Sequence, residues 1–268
     1  NNKYLKENDF FTDSSILLNK YLSNRSFPPE TLSITLSLTQ NCNLTCTYCS
    51  QNNSKDNKFI SYDVMDNVID YINNRMKNDK YKFISINFFG GEPLLAKNQI
   101  LYFKQKLEKF YSKQIINYSI ITNGVLLENA FLNNFDKINV KITLSEKQNH
   151  DKYRIFKNGV GTYSIIVENL KKTSTYFNTH QQSKISIRYN VDTLKNKFNK
   201  FIKFISNKFP HIRYIEIAPV YDFEYNKKVT NYTKKEFSKF YIKAIKNLLK
   251  NNFFVEFPTV NFMPCKAY

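Results

Sequence analysis

SITLSLTQNCNLTCTYC, residues 33 to 49, joins an alternating apolar run to a compact group of cysteines. Ile and Leu alternate with Ser and Thr from Ser33 to Thr39, the pattern of a β-strand with one buried face. Three of the chain's four cysteines follow as Cys42, Cys46 and Cys49. Three thiolates on one loop can hold three corners of an iron–sulfur cluster and leave the fourth iron without a protein ligand. The sequence therefore predicts an open [4Fe–4S] cluster directly after a strand.

Zinc is the alternative metal for these cysteines. A structural zinc site normally takes four protein ligands arranged as spaced pairs, so Cys265 or one of the three histidines would have to complete it. A disulfide framework would need partner cysteines elsewhere and a secretory signal, and the sequence shows neither. The spacing favours the iron–sulfur cluster over both.

Length and charge limit the classes of protein that remain. At 268 residues the chain can bury one large core, and no apolar run reaches the roughly 18 residues that would cross a bilayer. Lys and Arg number 40 against 22 Asp and Glu, a net charge of +18. Either an amino-acid usage typical of AT-rich genomes or an acidic partner would explain this excess. The charge is spread along the chain rather than collected in a tail, so it does not indicate nucleic acid.

Strand and helix patterns alternate along the chain. Six segments have the period of a strand: Ser33 to Thr39, Phe83 to Phe89, Ile116 to Thr122, Ile138 to Leu144, Lys184 to Val191 and Tyr214 to Pro219. Between them, apolar stripes at helical spacing, which we assign to the core, begin at Val64, Tyr163, Phe198 and Phe237. Thr233 and Glu236 predict a capping box before the last stripe. This order predicts an α/β fold, a partial (β/α)6 TIM-like barrel with parallel strands.

The strands also predict a polar lumen. The fifth segment alternates between an apolar set and a polar set, namely Ile185, Ile187 and Tyr189 against Ser186, Arg188 and Asn190. Because helices cover the apolar face, the polar face must line the interior of the barrel. Such a lumen is a chamber for a ligand, and in parallel α/β folds its reactive end lies at the carboxyl ends of the strands. The cysteine loop follows the first strand at that end.

The ends of the chain fall outside this pattern. Residues 1–30 form an N-terminal extension or the end of an upstream module, residues 31–250 form the barrel, and residues 251–268 begin a C-terminal extension. Within the last segment, residues 253–257 have the pattern of a further strand.

Further motifs follow the second, third and fourth strand segments. They are Phe89-Gly90-Gly91-Glu92-Pro93-Leu94-Leu95, Thr122-Asn123-Gly124, and the run from Thr143 that ends in His150-Asp151-Lys152-Tyr153-Arg154. Together with the CxxxCxxC loop and the aromatic Tyr48 before its last cysteine, they make the chain resemble radical S-adenosylmethionine (SAM) enzymes. Within that superfamily the chain resembles the SPASM/twitch branch, which includes peptide maturases and anaerobic sulfatase maturases. The resemblance extends over residues 33–219.

The resemblance implies a second cofactor, SAM, at the open iron. Gly90, Gly91, Glu92 and Pro93 would hold its methionine amino group, since glycines let the backbone come close to a ligand. Arg154 would bind its carboxylate through the guanidinium fork; the alternative for Arg154 is a surface salt bridge. The remaining residues expected to line the SAM site are Tyr48, Thr122, Asn123, Thr143, Arg188 and Asn190.

Several positions in this region have a second interpretation or depart from the family. Arg188, Asn190 and Glu216 face the lumen by strand parity, where each is either a ligand contact or part of a satisfied polar network. Ser145 stands where the family usually has Asp, and the Gly after it is absent. We expect His150 to make structural hydrogen bonds, and no residue is assigned as a catalytic acid or base.

The last residues resemble the beginning of a SPASM extension. Met263-Pro264-Cys265 would start a ligand set for auxiliary [4Fe–4S] clusters, whose other ligands would lie beyond Tyr268. We therefore expect a truncated extension; otherwise Cys265 is a free thiol. Because the proposed cluster is held by thiolates, the sequence predicts a reducing, cytoplasmic setting.

The resemblance implies an enzyme that cleaves SAM reductively and abstracts a hydrogen atom from a peptide substrate. We expect maturation of a ribosomally made peptide by a thioether or carbon–carbon crosslink. The alternative is an anaerobic sulfatase maturase that forms formylglycine on a partner protein. The implied partners are the precursor peptide or protein and an electron donor such as flavodoxin or ferredoxin. A pure electron carrier would not need the Gly90–Pro93 motif. A zinc-stabilised binding module is a further alternative, which metal analysis would distinguish.

Overall fold

The computed structural model describes residues 30–49, 51, 57–195, 197–220 and 232–256. Its strands are β1 Thr31–Ser37, β2 Phe83–Phe89, β3 Ile116–Thr122, β4 Ile138–Thr143, β5 Lys184–Val191, β6 Tyr214–Pro219 and β7 Phe254–Glu256. Its α-helices are α1 Tyr62–Asn78, α2 Lys97–Leu107, α3 Asn129–Leu132, α4 Lys147–Tyr153, α5 Tyr163–Thr179, α6 Phe198–Lys208 and α7 Lys234–Lys250. Short 3₁₀ turns occupy Pro93–Ala96 and Lys113–Ile115.

The seven strands form one parallel sheet in chain order. Each strand pairs with the next one along the chain, and β1 and β7 are the two open edges. Parallel neighbours need long crossover connections, which the helices supply. The predicted α/β fold, a partial TIM-like barrel of parallel strands, is confirmed. The seventh strand lies within residues 253–257, where the sequence predicts one.

Strand boundaries agree with the predicted segments except at β1 and, by one residue, at the end of β4. Strands β2, β3, β5 and β6 coincide with the predicted segments, and β4 ends one residue early. Strand β1 begins and ends two residues before its prediction. Leu38 still donates its N–H to Phe89 O at 2.9 Å, while Thr39 forms an isolated bridge to Phe59. The chain therefore leaves the regular ladder just before the cysteine loop.

The core lies between the sheet and its helices. On β2 the side chains of Ile84, Ile86 and Phe88 are fully buried, and each such side chain contributes about 1.5–3 kcal/mol when it leaves water. Helix α1 covers this region with Met65, Ile69 and Ile72, which are also buried. Spacings of three and four residues place such side chains on one helix face.

Two helices begin with side-chain caps, one of them predicted from the sequence, and one residue assigned to the core is exposed. The Ser61 side chain accepts the N–H of Val64 at the start of α1. The predicted capping box of Thr233 and Glu236 is present at α7. Val64, which the apolar stripe assigned to the core, is 48% exposed, because it lies in the first turn beyond the edge of the buried face.

The face of the sheet opposite the core carries the predicted polar residues. The register places Thr143, Arg188, Glu216 and Glu256 side by side on β4 to β7. Their neighbours along the strands, such as Ile187, belong to the core, so the alternation puts this row on the lumen side.

Two further sequence predictions concern the ends of the chain and membrane-spanning helices. Cys265 and nearly all of the predicted N-terminal extension lie outside the described residues. Among the helices of the described ranges, none combines the length and the apolar character needed to cross a bilayer.

Candidate active site

The cysteine loop lies at the carboxyl edge of the sheet, directly after β1. Cys42, Cys46 and Cys49 are not joined in disulfides; Cys46 is buried and the other two are half-buried. Local bonds shape the loop, because Leu44 N–H points at Cys42 Sγ at 3.4 Å and Cys49 N–H donates to Cys46 O at 3.1 Å. The sequence prediction of three thiols on one loop at this edge agrees with the structure.

The two glycines after β2 hold one side of this loop by close backbone contact. Gly91 N–H donates to Thr39 O at 2.8 Å, and Glu92 N–H donates to Asn41 O at 2.9 Å. A Cβ on Gly90 would lie 2.4 Å from Thr39 O, and one on Gly91 would lie 2.4 Å from Asn41 O. Gly90 also has φ +149°, which side chains rarely adopt. These glycines are therefore required for docking the cysteine loop, whatever ligand they also meet.

Glu92 connects the ends of β2 and β3. Its side chain is fully buried. Its Oε1 accepts from Leu94 N (3.0 Å) and Thr122 Oγ1 (2.6 Å), and its Oε2 accepts from Asn123 N at 2.7 Å. Burial raises the pKa of the carboxyl group, and these three donors oppose that rise. The carboxylate thus binds the Thr122-Asn123-Gly124 turn to the second motif.

Asn123 joins the same turn to the cysteines. Its Nδ2 donates to Asn43 Oδ1 at 2.7 Å and lies 3.8 Å from Cys42 Sγ. Its Oδ1 accepts from Val125 N at 3.0 Å, so both ends of the amide are used. Asn43 was not singled out from the sequence. The sequence does not indicate a role for an Asn between two cysteines, because its partner Asn123 is distant in sequence.

The opposite side of the cysteine loop pairs with the segment after α4. Thr45 N–H donates to Ile155 O at 2.9 Å, and Thr47 N–H donates to Tyr153 O at 3.1 Å. Leu44 also forms an antiparallel bridge with Phe156. The cysteine loop is thus held by main-chain hydrogen bonds on both sides.

Arg154 lies buried against the cysteines. Its side chain is 8% exposed, which excludes the surface salt bridge that the sequence left open. Burial lowers the pKa of Arg154, but the neighbouring Cys46 and Tyr48 raise it more, so the guanidinium stays charged. Burial raises the pKa of all three thiols, and the buried Arg154 cation reduces that rise, which makes the iron-binding thiolate forms less costly.

Several buried side-chain atoms in this region have no hydrogen-bond partner within the described residues, and two of them belong to residues predicted to contact SAM. Those two atoms are Nε of Arg154 and Oδ1 of Asn190. Buried polar groups are normally paired, so unpaired ones next to a candidate site suggest a missing ligand. Tyr48 completes this side, half-buried, with its ring 5.9 Å from that of Tyr153. The predicted residues Arg154, Asn190 and Tyr48 thus all lie at the carboxyl edge.

An ion network occupies the lumen below this edge. Glu216 is 3% exposed and accepts from Lys141 Nζ at 2.6 Å, with Arg188 Nε at 3.5 Å. Lys141 also lies 2.9 Å from Glu256. Of the two interpretations of Arg188 and Glu216, this geometry agrees with a satisfied polar network. The sequence did not single out Lys141, because its partners are on strands distant in sequence.

His150 makes the buried hydrogen bond expected of it. Its Nε2 lies 3.0 Å from Thr162 Oγ1, and Thr162 in turn donates to Arg154 O at 2.9 Å. Where the family has Asp, Ser145 is buried. The next residue, Glu146, accepts from Tyr189 at 2.7 Å. These bonds fix the helix that leads to Arg154.

A cleft of about 580 Å³ opens beside the cysteine loop. The residues that line it are Asn41, Cys42, Asn43, Leu95, Phe156, Lys157 and Asn158. Cys42 is the point where this cleft reaches the candidate cluster.

The donor set fits an iron–sulfur cluster. Three cysteines that form no disulfide lie on one loop beside a buried guanidinium, and iron–sulfur clusters are held by thiolates. No group of three or more His, Cys, Asp or Glu side chains in the described ranges could hold a single metal ion. A four-iron cluster does not require that geometry, because each thiolate binds a different iron.

A parallel half-barrel with a thiol loop at its carboxyl edge defines an α/β protein built to hold a metal cluster beside a polar lumen. A family model described as the radical SAM superfamily matches residues 36–207. The chain belongs to the radical SAM superfamily, whose members use a [4Fe–4S] cluster and SAM.

Individual relatives agree with this assignment. The chain is 30% identical over 196 residues to a cysteine-type anaerobic sulfatase-maturating enzyme of Clostridium novyi (strain NT), covering 68% of this chain and 49% of the relative. The resemblance to the branch that contains the anaerobic sulfatase maturases is thus confirmed. The chain spans about half the length of that curated relative.

Solved structures share the fold. Native anSMEcpe with bound AdoMet and Kp18Cys peptide superposes with a TM-score of 0.68 at 21% identity, covering 84% of this chain and 63% of that one. Streptococcus suis SuiB bound to precursor peptide SuiA superposes with a TM-score of 0.62 at 17% identity, covering 92% and 53%.

Proposed function

We propose that this chain is the SAM-cleaving part of an enzyme that removes a hydrogen atom from a peptide or protein substrate. The observation that carries the proposal is the position of the cysteine loop, docked between the Gly90–Pro93 motif and residues 153–156, which include Arg154. When bound, the cluster and SAM supply the electron transfer and the deoxyadenosyl radical that removes hydrogen. The protein's part is to bind, orient and shield the reactants.

Each predicted residue has a role in this proposal. Cys42, Cys46 and Cys49 would hold three irons and leave the fourth for SAM. Arg154 would bind the SAM carboxylate, which would also pair its free Nε. Both oxygens of Glu92 already accept hydrogen bonds, which supports a positioning role for it beside the predicted amino-group contact.

The other predicted SAM contacts lie on neighbouring strands. Thr143 and Arg188 are paired in register on β4 and β5, and Asn190 follows two residues closer to the carboxyl edge. Asn190 would meet SAM through its unpaired Oδ1. Arg188 belongs to the ion network of the lumen, where it would contact the substrate rather than SAM.

For the substrate we propose a peptide that gains a thioether or carbon–carbon crosslink. A radical SAM cyclopropyl synthase, TigE of Paramaledivibacter caminithermalis, is 28% identical over 152 residues, covering 52% of this chain and 32% of the relative, and its name supports carbon–carbon bond formation. The second candidate is formylglycine formation on a partner protein, which the relative from C. novyi supports through its own name. A small electron-transfer protein such as flavodoxin or ferredoxin would deliver the electron in either case.

Anaerobic reconstitution with iron and sulfide tests the proposal. After reduction with dithionite in the presence of SAM, we expect 5′-deoxyadenosine from the wild-type chain and none from Cys46→Ala. Iron in the wild type without this product would contradict SAM cleavage, and zinc in place of iron would contradict the cluster itself.

The two candidate reactions differ in the mass of their products. A crosslink removes two hydrogen atoms from the peptide, whereas formylglycine formation at cysteine replaces the thiol with a carbonyl oxygen. Mass spectrometry of a cysteine-containing peptide incubated with the reconstituted enzyme therefore separates them. A peptide unchanged in mass, despite 5′-deoxyadenosine formation, would count against both.

A further inference from the structure

The side chain of Asn123 is aimed at Cys42 by contacts at its other atoms. Asn123 is 6% exposed and directly follows β3. Its backbone N–H donates to Glu92 Oε2 at 2.7 Å, and its Oδ1 accepts the N–H of Val125 at 3.0 Å. Because Val125 holds the oxygen of the amide, the NH₂ group of Asn123 must point the other way. It lies against the cysteine loop.

The NH₂ group of Asn123 meets two acceptors on that loop. It donates to Asn43 Oδ1 at 2.7 Å, and its nitrogen lies 3.8 Å from Cys42 Sγ, within the range of an N–H···S hydrogen bond. A thiol sulfur is a weak acceptor, whereas hydrogen bonds to ionised acceptors are roughly twice as strong. The contact between Asn123 and Cys42 should therefore strengthen when Cys42 is a thiolate, the form that binds iron.

A second donor to the same sulfur helps to define what Asn123 adds. The backbone N–H of Leu44 points at Cys42 Sγ at 3.4 Å, and it belongs to the cysteine loop itself. Asn123 lies 81 residues from Cys42 in sequence, so its N–H reaches the sulfur only because the fold brings the end of β3 to the loop. A side-chain donor can also be removed by substitution, whereas the Leu44 N–H cannot.

The contact made by Asn123 differs from the effect of Arg154 on the same loop. The charge of Arg154 acts on all three cysteines, and Arg154 is also the residue that would bind the SAM carboxylate. Asn123 is neutral, and its contact is with the sulfur of Cys42. Substitution of Asn123 therefore changes the hydrogen bonding at one iron ligand and leaves the buried charge in place.

We propose that Asn123 raises the reduction potential of the iron–sulfur cluster through its N–H···S bond to Cys42, an inference that rests on the cluster of the proposed function. Reduction moves one electron from an electron-transfer protein or dithionite to the cluster, and no bond forms or breaks. The sulfur ligands share the added negative charge, so an N–H aimed at one of them stabilises the reduced form more than the oxidised form. Asn123 thereby makes the cluster easier to reduce, a role distinct from the SAM contact expected from the sequence.

Potentiometric titration of the reconstituted chain without SAM tests this role, with electron paramagnetic resonance as the measure of the reduced cluster. Asn123→Ser removes the NH₂ group, while its hydroxyl can still accept the N–H of Val125. Asn123→Asp keeps the shape of the side chain but places an oxygen where the NH₂ group was. The matched control is Asn43→Ala, which removes the other acceptor of that NH₂ group and leaves the donor to Cys42 in place.

We expect the ratio of reduced to oxidised cluster at a fixed potential to fall about 10-fold in Asn123→Ser, which for a one-electron couple lowers the midpoint potential by about 59 mV. Asn123→Asp should lower it at least as far, because a carboxylate oxygen repels the thiolate. Asn43→Ala should not lower it. A wild-type midpoint potential in both Asn123 variants would overturn the proposal. An equal fall in Asn43→Ala would also overturn it, because disruption of the loop would then explain the shift.

Iron per chain separates a failure of this inference from a failure of the proposed function. The variants should keep the iron content of the wild type, because the three cysteines and Arg154 are unchanged. Loss of iron from both Asn123 variants would overturn the proposal in favour of a purely structural role for Asn123. A wild-type chain that takes up no iron would refute the cluster and both proposals together. An intact cluster with an unshifted potential would refute only the role of Asn123.

Discussion

Replacing Gly91 with alanine should displace the cysteine loop. The new Cβ would lie 2.4 Å from Asn41 O and 2.5 Å from Gln40 O. Both are backbone atoms, so no side-chain rotation relieves the contact and the loop must move away. The hydrogen bonds from Gly91 to Thr39 and from Glu92 to Asn41 would then lengthen or break.

The expected cost follows from these contacts. Two lost hydrogen bonds contribute about 1 kcal/mol each, and overpacking adds about 1–3 kcal/mol. With both bonds lost, Gly91→Ala should reduce the free energy of unfolding of the apo-protein by about 3–5 kcal/mol. Displacement of the loop should also reduce the iron that the chain retains.

Gly159→Ala is the matched control for this change. Gly159 has φ +83°, yet a Cβ there would meet nothing within 4 Å. This variant should lose about 1–2 kcal/mol from backbone strain alone and keep its iron. Urea unfolding measures the stability, and iron per chain with the visible absorbance of the cluster measures occupancy. Wild-type stability and wild-type iron in Gly91→Ala would refute the docking role of the glycine.

Three other changes test the buried polar groups. Lys141→Met should destabilise the chain by about 2–4 kcal/mol in urea unfolding, because Glu216 and Glu256 lose their cation; adding Glu216→Gln should recover part of that loss, and no recovery would contradict the pairing. Glu92→Gln should lower the free energy of unfolding by about 2–4 kcal/mol, because the amide NH₂ group would face a hydrogen-bond donor where a carboxylate oxygen now accepts. An unchanged urea midpoint would contradict this. Burial and the nearby Arg154 cation hold the pKa of His150 well below its usual value. The folded state therefore binds fewer protons than the unfolded state, and the free energy of unfolding should fall as the pH drops below about 6.5. The fall should be smaller in His150→Gln.

Local pattern accounts for the part of the fold that the sequence predicted. Strand alternation is a property of neighbouring residues, so β5 and its polar face could be predicted from residues 184–191. The motifs predicted the site for the same reason, since Cys42, Cys46 and Cys49 lie on one loop. The boundary of β1 was wrong by two residues, because Leu38 and Thr39 keep strand-like sequence after the ladder ends.

The features that the sequence did not predict depend on contacts between segments distant in sequence. The pairing of Lys141 with Glu216 depends on the register of β4, β5 and β6, which no local pattern specifies. The motif glycines were predicted to approach a ligand, and in the structure they approach the backbone at Thr39 and Asn41.

The pairing of the cysteine loop with residues 153–156 has a consequence for the order of events during synthesis. Thr45 and Ile155, which this pairing joins, are separated by more than a hundred residues, so a ribosome has made most of the barrel before the second partner emerges. Contacts of such long sequence separation form late in folding. The thiols therefore leave the ribosome long before the scaffold that arranges them exists. Delivery of iron and sulfide should follow completion of the β4–α5 region, and a nascent chain stalled before that region should not retain a cluster.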